Sequence, residues 1–316
     1  MMLPLQISYE DAIDCLSWTG AVAALRAGHQ RPKAQIADMF LGPSEGTLLS
    51  RGAYIEGLGY GVKSVTVFGA NPKAGLPTVQ GAMLLFEPTH GQLEAIIDSR
   101  LVTEIKTAAD SVLGAMLLAR PDSRHLLIVG AGTVARSLIA AYSAMFPQLK
   151  QISIWARRPE QAKALAHEYA GSKMSVTPVA DLASAAAVAD IISTATMARE
   201  PILRGRWINP GTHIDLIGAY KADMREADDV LIARGALFVD SRETTISHIG
   251  ELTIPIRLGV ISARSVRGDL YDLTGKYPVG REGTDMITIF KNGGGAHLDL
   301  MIAAYIKQAQ LERKAE

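Results

Sequence analysis

A short apolar run that ends in a glycine-rich turn and leads directly into a helical stretch most constrains what this chain can fold into. His125–Val129 is almost entirely apolar, as is typical of a strand buried on both faces of a parallel sheet. Residues 130–135 follow it as GAGTVA, which fits G-x-G-x-x-A, and helical spacing then continues to Met145. A strand, this turn and a helix in succession predict a doubly wound α/β sheet that binds a dinucleotide.

Each position of the turn has a physical role in holding a pyrophosphate. Gly130 permits the tight turn, Gly132 lets the backbone approach the pyrophosphate, and Ala135 allows the helix to pack closely on the strand. The free N–H groups and the dipole at the helix start favour an anion. The alternative is a tight turn without a ligand. We predict that the pyrophosphate contacts come from Gly130, Ala131, Gly132, Thr133 and Val134.

The end of the second strand indicates which dinucleotide is preferred. A ribose with a free 2′-hydroxyl usually meets an acidic residue about 20 residues beyond the glycines. This chain has Arg157 and Arg158 there, one residue beyond the strand Gln151–Trp155. Because guanidinium groups bind phosphate with paired hydrogen bonds, we predict NADP(H) in preference to NAD(H). The alternative is that both arginines are solvated charges at the start of the next helix.

The remaining patterns predict two domains. Short apolar strands alternate with helices after the turn, so residues 118–294 are predicted to form a Rossmann domain. Residues 1–117 contain β-rich runs separated by glycine-containing turns and reach a long amphipathic helix at residues 101–119, which predicts an α+β domain dominated by antiparallel strands. The last helical stretch, at residues 298–311, follows three glycines, and we predict that residues 295–316 return to the N-terminal domain.

Composition excludes several classes of function. Lys plus Arg and Asp plus Glu both total 32, so there is no net basic field to hold nucleic acid or anionic lipid. Cys15 is the only cysteine, which excludes an intrachain disulfide and a thiolate metal cluster, and we expect a buried, inert thiol. The histidines lack ligand spacing, so we predict no metal. Without a basic leader or an apolar run near the ~20 residues that span a bilayer, we expect a soluble, cytoplasmic protein.

Two lysines in the N-terminal half stand among apolar or small neighbours. Lys63 lies inside the apolar run at residues 61–67, and Lys106 lies on the small-residue face of the long helix, beside Thr107. A lysine in such surroundings either extends its ammonium group to water or meets an anion. Two cations that converge would hold a carboxylate, so both are candidate substrate ligands.

Several segments together resemble the ornithine cyclodeaminase/mu-crystallin family over nearly the whole chain. They are GVKSVTVF at 61–68, NP at 71–72, GLPTVQG at 75–81, KTAA at 106–109, GAG at 130–132, IGA at 217–219 and FKNGG at 290–294. The resemblance implies a homodimer in which the N-terminal domain binds the substrate and forms the subunit interface, while the Rossmann domain binds the cofactor.

The resemblance also implies roles for individual residues. Lys63 matches the family's substrate-binding lysine, and Lys106 stands where most members have an arginine that grips the substrate carboxylate. This replacement keeps the charge and loses the bidentate fork. A third arginine of the family, near the N-terminus, has its best match at Lys33, in a region where the alignment needs a gap. The predicted catalytic residues are Lys63 and Lys106, and the predicted substrate contacts are Lys33, Lys63, Lys106 and Thr107.

The nicotinamide half of the cofactor is predicted to lie at the end of the strand near residue 194 and beside the glycine-rich return segment. The residues predicted to contact it are Thr194, Ala195, Thr196 and Lys291, and Ile217 and Gly218 are further predicted cofactor-binding residues.

Tyr220 separates this chain from one branch of the family. Ornithine cyclodeaminases carry there an aspartate thought to handle the amine protons, and without a carboxylate a bound ornithine lacks its general base. We therefore expect an NADPH-dependent reductase of a small cyclic ketimine carboxylate, such as Δ1-pyrroline-2-carboxylate reduced to L-proline. The alternatives are an ornithine cyclodeaminase, an alanine dehydrogenase-like reductive aminase and a non-catalytic NADPH-dependent binding protein.

Overall fold

A computed structural model describes residues 3–172 and 174–315 and divides the chain into two units. One unit comprises the residues up to Ala109 together with those from Gly295 onward, and the other comprises Asp110–Gly294. Within the described residues, every helix is too short or too polar to cross a membrane.

The first unit is built on a six-stranded sheet. Its strands are β1 (Leu5–Ile7), β2 (Gln35–Leu41), β3 (Thr47–Ile55), β4 (Gly59–Val67), β5 (Val79–Phe86) and β6 (Leu93–Asp98), in the order β1-β6-β5-β4-β3-β2. Neighbours from β2 to β6 run antiparallel, and β1 runs parallel to β6. The helices at this end of the chain are α1 (Tyr9–Ala12), α2 (Trp18–His29) and α3 (Ser99–Leu118), with 3-10 turns at Ile13–Cys15 and Asn71–Ala74.

The second unit is an eight-stranded, wholly parallel sheet. Its strands are β7 (His125–Val129), β8 (Gln151–Trp155), β9 (Ser175–Pro178), β10 (Ile191–Thr194), β11 (His213–Leu216), β12 (Ala236–Val239), β13 (Val266–Gly268) and β14 (Thr288–Lys291). Its helices are α4 (Thr133–Met145), α5 (Pro159–His167), α6 (Leu182–Val188), α7 (Asp229–Arg234), α8 (Arg242–Thr245), α9 (Gly250–Arg257) and α10 (Leu270–Thr274), with 3-10 turns at Gly205–Trp207 and Ala263–Ser265. The predicted fold class, a Rossmann sheet together with an α+β unit, is confirmed.

The strand order of this sheet places a ligand crevice beside β7. The order is β9-β8-β7-β10-β11-β14-β12-β13, so the chain winds outward from β7 first in one direction and then in the other. In doubly wound sheets, ligands bind at the carboxyl ends of the strands where this reversal occurs. The last strand in sequence, β14, inserts between β11 and β12, which the sequence patterns do not predict.

The boundary between the units lies inside α3, whereas the sequence places it at the end of the helical pattern. The C-terminal half of α3 packs on β14 and the residues around it. Asn292 Nδ2 donates to Ser111 Oγ at 2.9 Å, and a Cβ atom at Gly114 would lie 2.6 Å from the Phe290 ring. These contacts are tertiary, so the helical periodicity of the sequence did not reveal them.

The last helix, α11 (Ala296–Ala315), belongs to the first unit and determines what Lys63 meets. It packs against α2 and against β2 to β5. Side chains alternate along β4, which turns Lys63 and Val65 to its buried face. A Cβ atom at Gly61 would lie 3.0 Å from Leu300 of α11. The buried face of β4 therefore looks onto the start of α11.

Candidate active site

The glycine turn at the end of β7 has the geometry that a dinucleotide needs. Gly130 has a φ of +129°, and a Cβ atom there would lie 2.5 Å from the carbonyl oxygen of Ala195. Gly132 is the exposed N-cap of α4, and a Cβ atom there would have no protein atom within 4 Å. Since Gly132 has no side chain to cap α4, the first N–H groups of the helix are left to a ligand. The open side of Gly132 and the uncapped helix start fit a pyrophosphate.

The other predicted residues of the turn, and the two predicted phosphate-binding arginines, are accessible. Ala131 and Val134 are half-buried, and Thr133 is exposed. Arg157 and Arg158 follow β8 and are exposed, and Arg158 is the N-cap of α5. In the part of the chain that the structure describes, neither arginine is paired with a carboxylate. Both guanidinium groups are therefore available to a phosphate, and cofactor binding by all five residues stays a prediction.

The ends of β10 and β11 are joined by Glu226, a buried residue that no sequence pattern marks. Its Oε2 accepts hydrogen bonds from Thr194 Oγ1 at 2.7 Å and from the Gly218 N–H at 2.7 Å. Its Oε1 accepts from the Thr196 N–H at 2.8 Å and from the Thr196 hydroxyl at 2.6 Å. Three of the residues predicted to contact the cofactor thus meet at one carboxylate.

Lys291 is buried, and the protein itself engages its ammonium group. Nζ donates to the carbonyl oxygens of Leu216 at 2.8 Å, Ile217 at 3.3 Å and Asn292 at 2.7 Å. Burial lowers the pKa of Lys291, while nearby carboxylates oppose that shift. The three donors of the Lys291 ammonium group thus hold backbone carbonyl groups, and its contact with a cofactor stays a prediction. The same applies to the fully buried hydroxyl of Thr194.

Two further carboxylates hold backbone N–H groups near this edge of the sheet. Asp240 Oδ2 accepts from the N–H groups of Gly293 at 2.9 Å and Gly294 at 2.5 Å. Glu251 accepts from the N–H groups of Glu226 and the next residue, at 2.8 and 2.9 Å. Burial raises the pKa of Asp240, and burial together with the neighbouring Glu226 raises the pKa of Glu251 to about 7.

In the first unit, the two predicted substrate lysines converge, and they do so on a carboxylate of the chain itself. Lys63 Nζ lies 2.8 Å from Asp299 Oδ1, and Lys106 Nζ lies 3.4 Å from the same atom. The side chains of Lys63, Lys106 and Asp299 are 7%, 7% and 1% exposed. Lys63 also donates to Thr103 Oγ1 at 3.3 Å. Asp299 was missed in the sequence, although a lone carboxylate in the apolar start of the last helix is the same kind of signal that marked the lysines.

In this ion cluster, formed by Lys63, Lys106 and Asp299, burial and the neighbouring charges shift the pKa values of Lys63 and Asp299. Burial lowers the pKa of Lys63, Asp299 opposes that shift, and Lys106 adds to it, so that the pKa of Lys63 is about 8. Burial alone would raise the pKa of Asp299, but the two lysines outweigh it and lower that pKa to about 2. Two lysines thus face a single carboxylate, so basic groups outnumber acidic groups in the cluster by one. A buried surplus of one positive charge suits a ligand with one carboxylate.

The other residues singled out in the sequence lie outside this ion cluster. Lys33 is exposed in the loop between α2 and β2, and its role stays a prediction. Thr107 donates its hydroxyl to the carbonyl of Thr103 at 2.7 Å, within α3. The expectation of a buried thiol is wrong: Cys15 is half-buried because it ends a short 3-10 turn, and its Sγ donates to Ala12 O at 3.1 Å. Tyr220 is exposed beyond the end of β11.

We expect alanine at Gly130 and at Gly132 to separate folding from cofactor binding. Gly130→Ala places a methyl group against the backbone at positive φ, so it should lower the free energy of unfolding by about 1–3 kcal/mol. Gly132→Ala meets no protein atom, so the stability should stay within about 1 kcal/mol. Its methyl group would occupy the pyrophosphate's place and weaken binding of NADPH and NADH by about tenfold or more. Denaturant unfolding measures the stability, and cofactor fluorescence titration measures the affinity. Wild-type affinity in Gly132→Ala would contradict the prediction that the glycine turn at residues 130–132 is a pyrophosphate cradle.

Comparison with known proteins places the chain in a family. A model of the ornithine cyclodeaminase/mu-crystallin family matches residues 19–314. A relative from Paracoccus denitrificans (strain Pd 1222), Delta(1)-pyrroline-2-carboxylate reductase, is 63% identical over 303 residues, which cover 96% of this chain and 96% of the relative.

Two solved structures have the same fold over nearly the whole chain. Thermococcus litoralis Delta(1)-pyrroline-2-carboxylate reductase in complex with NADH and L-proline has a TM-score of 0.91 at 29% identity and covers 98% of each chain. An archaeal alanine dehydrogenase dimer with bound NAD has a TM-score of 0.92 at 27% identity, covering 99% of this chain and 98% of the other. The resemblance carried by the sequence motifs is confirmed, and this chain belongs to the ornithine cyclodeaminase/mu-crystallin family.

Proposed function

We propose that this chain is an NADPH-dependent reductase of small cyclic imino acids, with Δ1-pyrroline-2-carboxylate as the substrate and L-proline as the product. The observation that carries the proposal is the buried ion cluster, whose surplus positive charge suits one carboxylate. The dinucleotide turn in the same chain provides for a nicotinamide cofactor. The reductases among its relatives support an oxidoreductase that acts on C=N bonds with NAD(P)H.

The ion cluster suits the charge changes of imine reduction. Lys106 and Lys63 would hold the substrate carboxylate, and Asp299 would keep the two ammonium groups side by side. The bound cofactor supplies a hydride to the imine carbon. Lys63 would donate a proton to the ring nitrogen, which becomes a secondary amine, and would regain a proton from water. A pKa of about 8 suits this role because an acid transfers its proton best when its pKa lies near the working pH.

The proposal extends to a homodimer. The edge strand β2 exposes Met39, Phe40 and Leu41, and successive side chains point to opposite faces. An apolar edge strand with both faces exposed is a surface that proteins normally cover. The archaeal alanine dehydrogenase of the same fold is a dimer.

A direct assay of cofactor oxidation tests the activity. We expect NADPH to be consumed with Δ1-pyrroline-2-carboxylate and also, at its own rate, with the six-membered cyclic imine. Ornithine with NAD should yield no proline, because Tyr220 supplies no carboxylate to the amine. Pyruvate with ammonia should be a poor substrate pair. Proline and ammonia formed from ornithine would establish a cyclodeaminase instead. If neither imine is reduced, the proposal is refuted.

Removal of both arginines after β8 should act on one cofactor only. We expect the double variant Arg157→Ala, Arg158→Ala to raise KM for NADPH by about tenfold or more, because each charge-assisted hydrogen bond to a phosphate is lost. KM for NADH should stay near its wild-type value. The exposed Arg264, replaced by alanine, is the matched control for a lost surface charge. An equal change for both cofactors would contradict the predicted preference for NADP(H).

The pH dependence of kcat/KM tests the role of Lys63. The ammonium form is present below its pKa, so we expect kcat/KM to fall as the pH rises through about 8. Asp299→Asn removes the carboxylate that opposes the lowered pKa of Lys63, so the fall should begin at a lower pH. Lys63→Arg, whose guanidinium stays protonated, should lose most activity together with this pH dependence. If the pH midpoint of kcat/KM is the same in Asp299→Asn as in the wild type, Lys63 is not the titrating acid. Titration of the substrate itself would give such an unchanged midpoint, because it does not depend on the enzyme.

A further inference from the structure

Glu226 stands out among the buried groups of the second unit because it holds chain segments that the proposed reaction needs and because nothing in the sequence marks it. It is fully buried, and its carboxylate accepts four hydrogen bonds, all at 2.8 Å or less. Two of the donors are backbone N–H groups, those of Thr196 and Gly218. These follow β10 and β11, which are neighbours in the sheet.

The two segments are packed so closely that a side chain would separate them. A Cβ atom at Gly218 would lie 2.0 Å from Thr196 O and 2.5 Å from Glu226 Oε1. Thr196 also accepts a hydrogen bond at Oγ1 from the Ala198 N–H at 3.3 Å, which continues the turn after β10. Glu226 therefore determines where the backbone runs at the carboxyl ends of both strands.

Hydrogen bonds of its own backbone hold Glu226 in place. Its own N–H donates to Glu251 Oε2 of α9 at 2.8 Å, and its carbonyl oxygen accepts from the N–H groups of Ile202 and Leu203 at 2.9 Å. Lys291 holds the carbonyl groups at the end of β11, as described above. The carboxylate is thus a fixed point to which the more open turns after β10 and β11 are attached.

This edge is where a doubly wound sheet binds its ligand, and β10 adjoins β7 at the reversal of strand order. The pyrophosphate cradle at Gly130 touches the same turn, since a Cβ atom at Gly130 would lie against Ala195 O. The segment held by Glu226 thus continues from the cradle along the crevice. Groups that are held in place before binding lower the entropy cost of ordering a ligand.

We infer that Glu226 is a positioning residue for the nicotinamide half of the cofactor, acting through the backbone of Thr196 and Gly218. The inference rests on the proposed use of a nicotinamide cofactor and does not depend on which imine is reduced. A purely structural Glu226 would affect all parts of the cofactor alike, or none. A positioning Glu226 affects the nicotinamide half alone.

The test compares whole cofactors with fragments that lack nicotinamide. Binding of NADPH and of 2′-phospho-ADP-ribose, and of NADH and ADP-ribose, is measured by calorimetry without any imine. Glu226→Gln places an amide N–H against a backbone N–H, so Thr196 or Gly218 loses its acceptor. We expect the Kd of NADPH and NADH to rise by about tenfold, while the Kd of each fragment stays within about threefold of the wild-type value.

Asp190→Asn is the matched control, because its carboxylate also accepts from two backbone N–H groups, those of Arg124 and His125, but lies before β10, at the opposite edge of the same sheet. It should lower Tm and leave the ratio of cofactor to fragment affinity unchanged. Equal losses for cofactor and fragment in Glu226→Gln, or none for either, would overturn the inference. If Glu226→Gln does not fold, Thr194→Val removes one donor to the carboxylate, and the same two outcomes decide. A wild-type chain that binds neither NADPH nor NADH would overturn the proposed function itself.

Discussion

Eight parallel strands end at one edge of a sheet in the second unit, and the polar groups at that edge need partners before a ligand can be held there. A buried N–H or C=O group without a partner costs as much free energy as a lost hydrogen bond. Glu226 accepts from N–H groups beyond β10 and β11, Lys291 donates to carbonyl groups at the end of β11, and Asp240 accepts from N–H groups beyond β14. Buried charged side chains therefore make rigid the edge at which such sheets bind ligands.

In the first unit, too, buried charged groups need partners. A buried ammonium group costs several kcal/mol unless a counter-charge lies beside it, and Asp299 supplies one carboxylate to two lysines. The cluster is buried, and its two lysines outnumber its one carboxylate. That surplus is the physical reason for the proposal that the cluster binds an anionic substrate, because a purely structural ion pair needs only one charge of each sign.

Local patterns predicted much of the fold. The limits of β7, β8 and α4 lie within one residue of the apolar runs and helical stretch that predict them, because those patterns follow the sheet and helix periods directly. The position of β14 and the unit boundary inside α3 were not predicted. Both depend on packing between distant segments, as at Gly114 and Phe290, and a local period carries no record of such packing.

By itself, the sequence determined the family, the α/β class, the glycine turn and the two lysines, because each is a matter of residue type and short-range spacing. Only the tertiary structure decided what those residues meet. Asp299 is 236 positions from Lys63, and Glu226 is 32 positions from Thr194, yet each pair shares a hydrogen bond. Which buried charge is paired, and which donor is left for a ligand, depends on how the chain brings remote residues together, because the free energy of a buried charge depends on its neighbours in space.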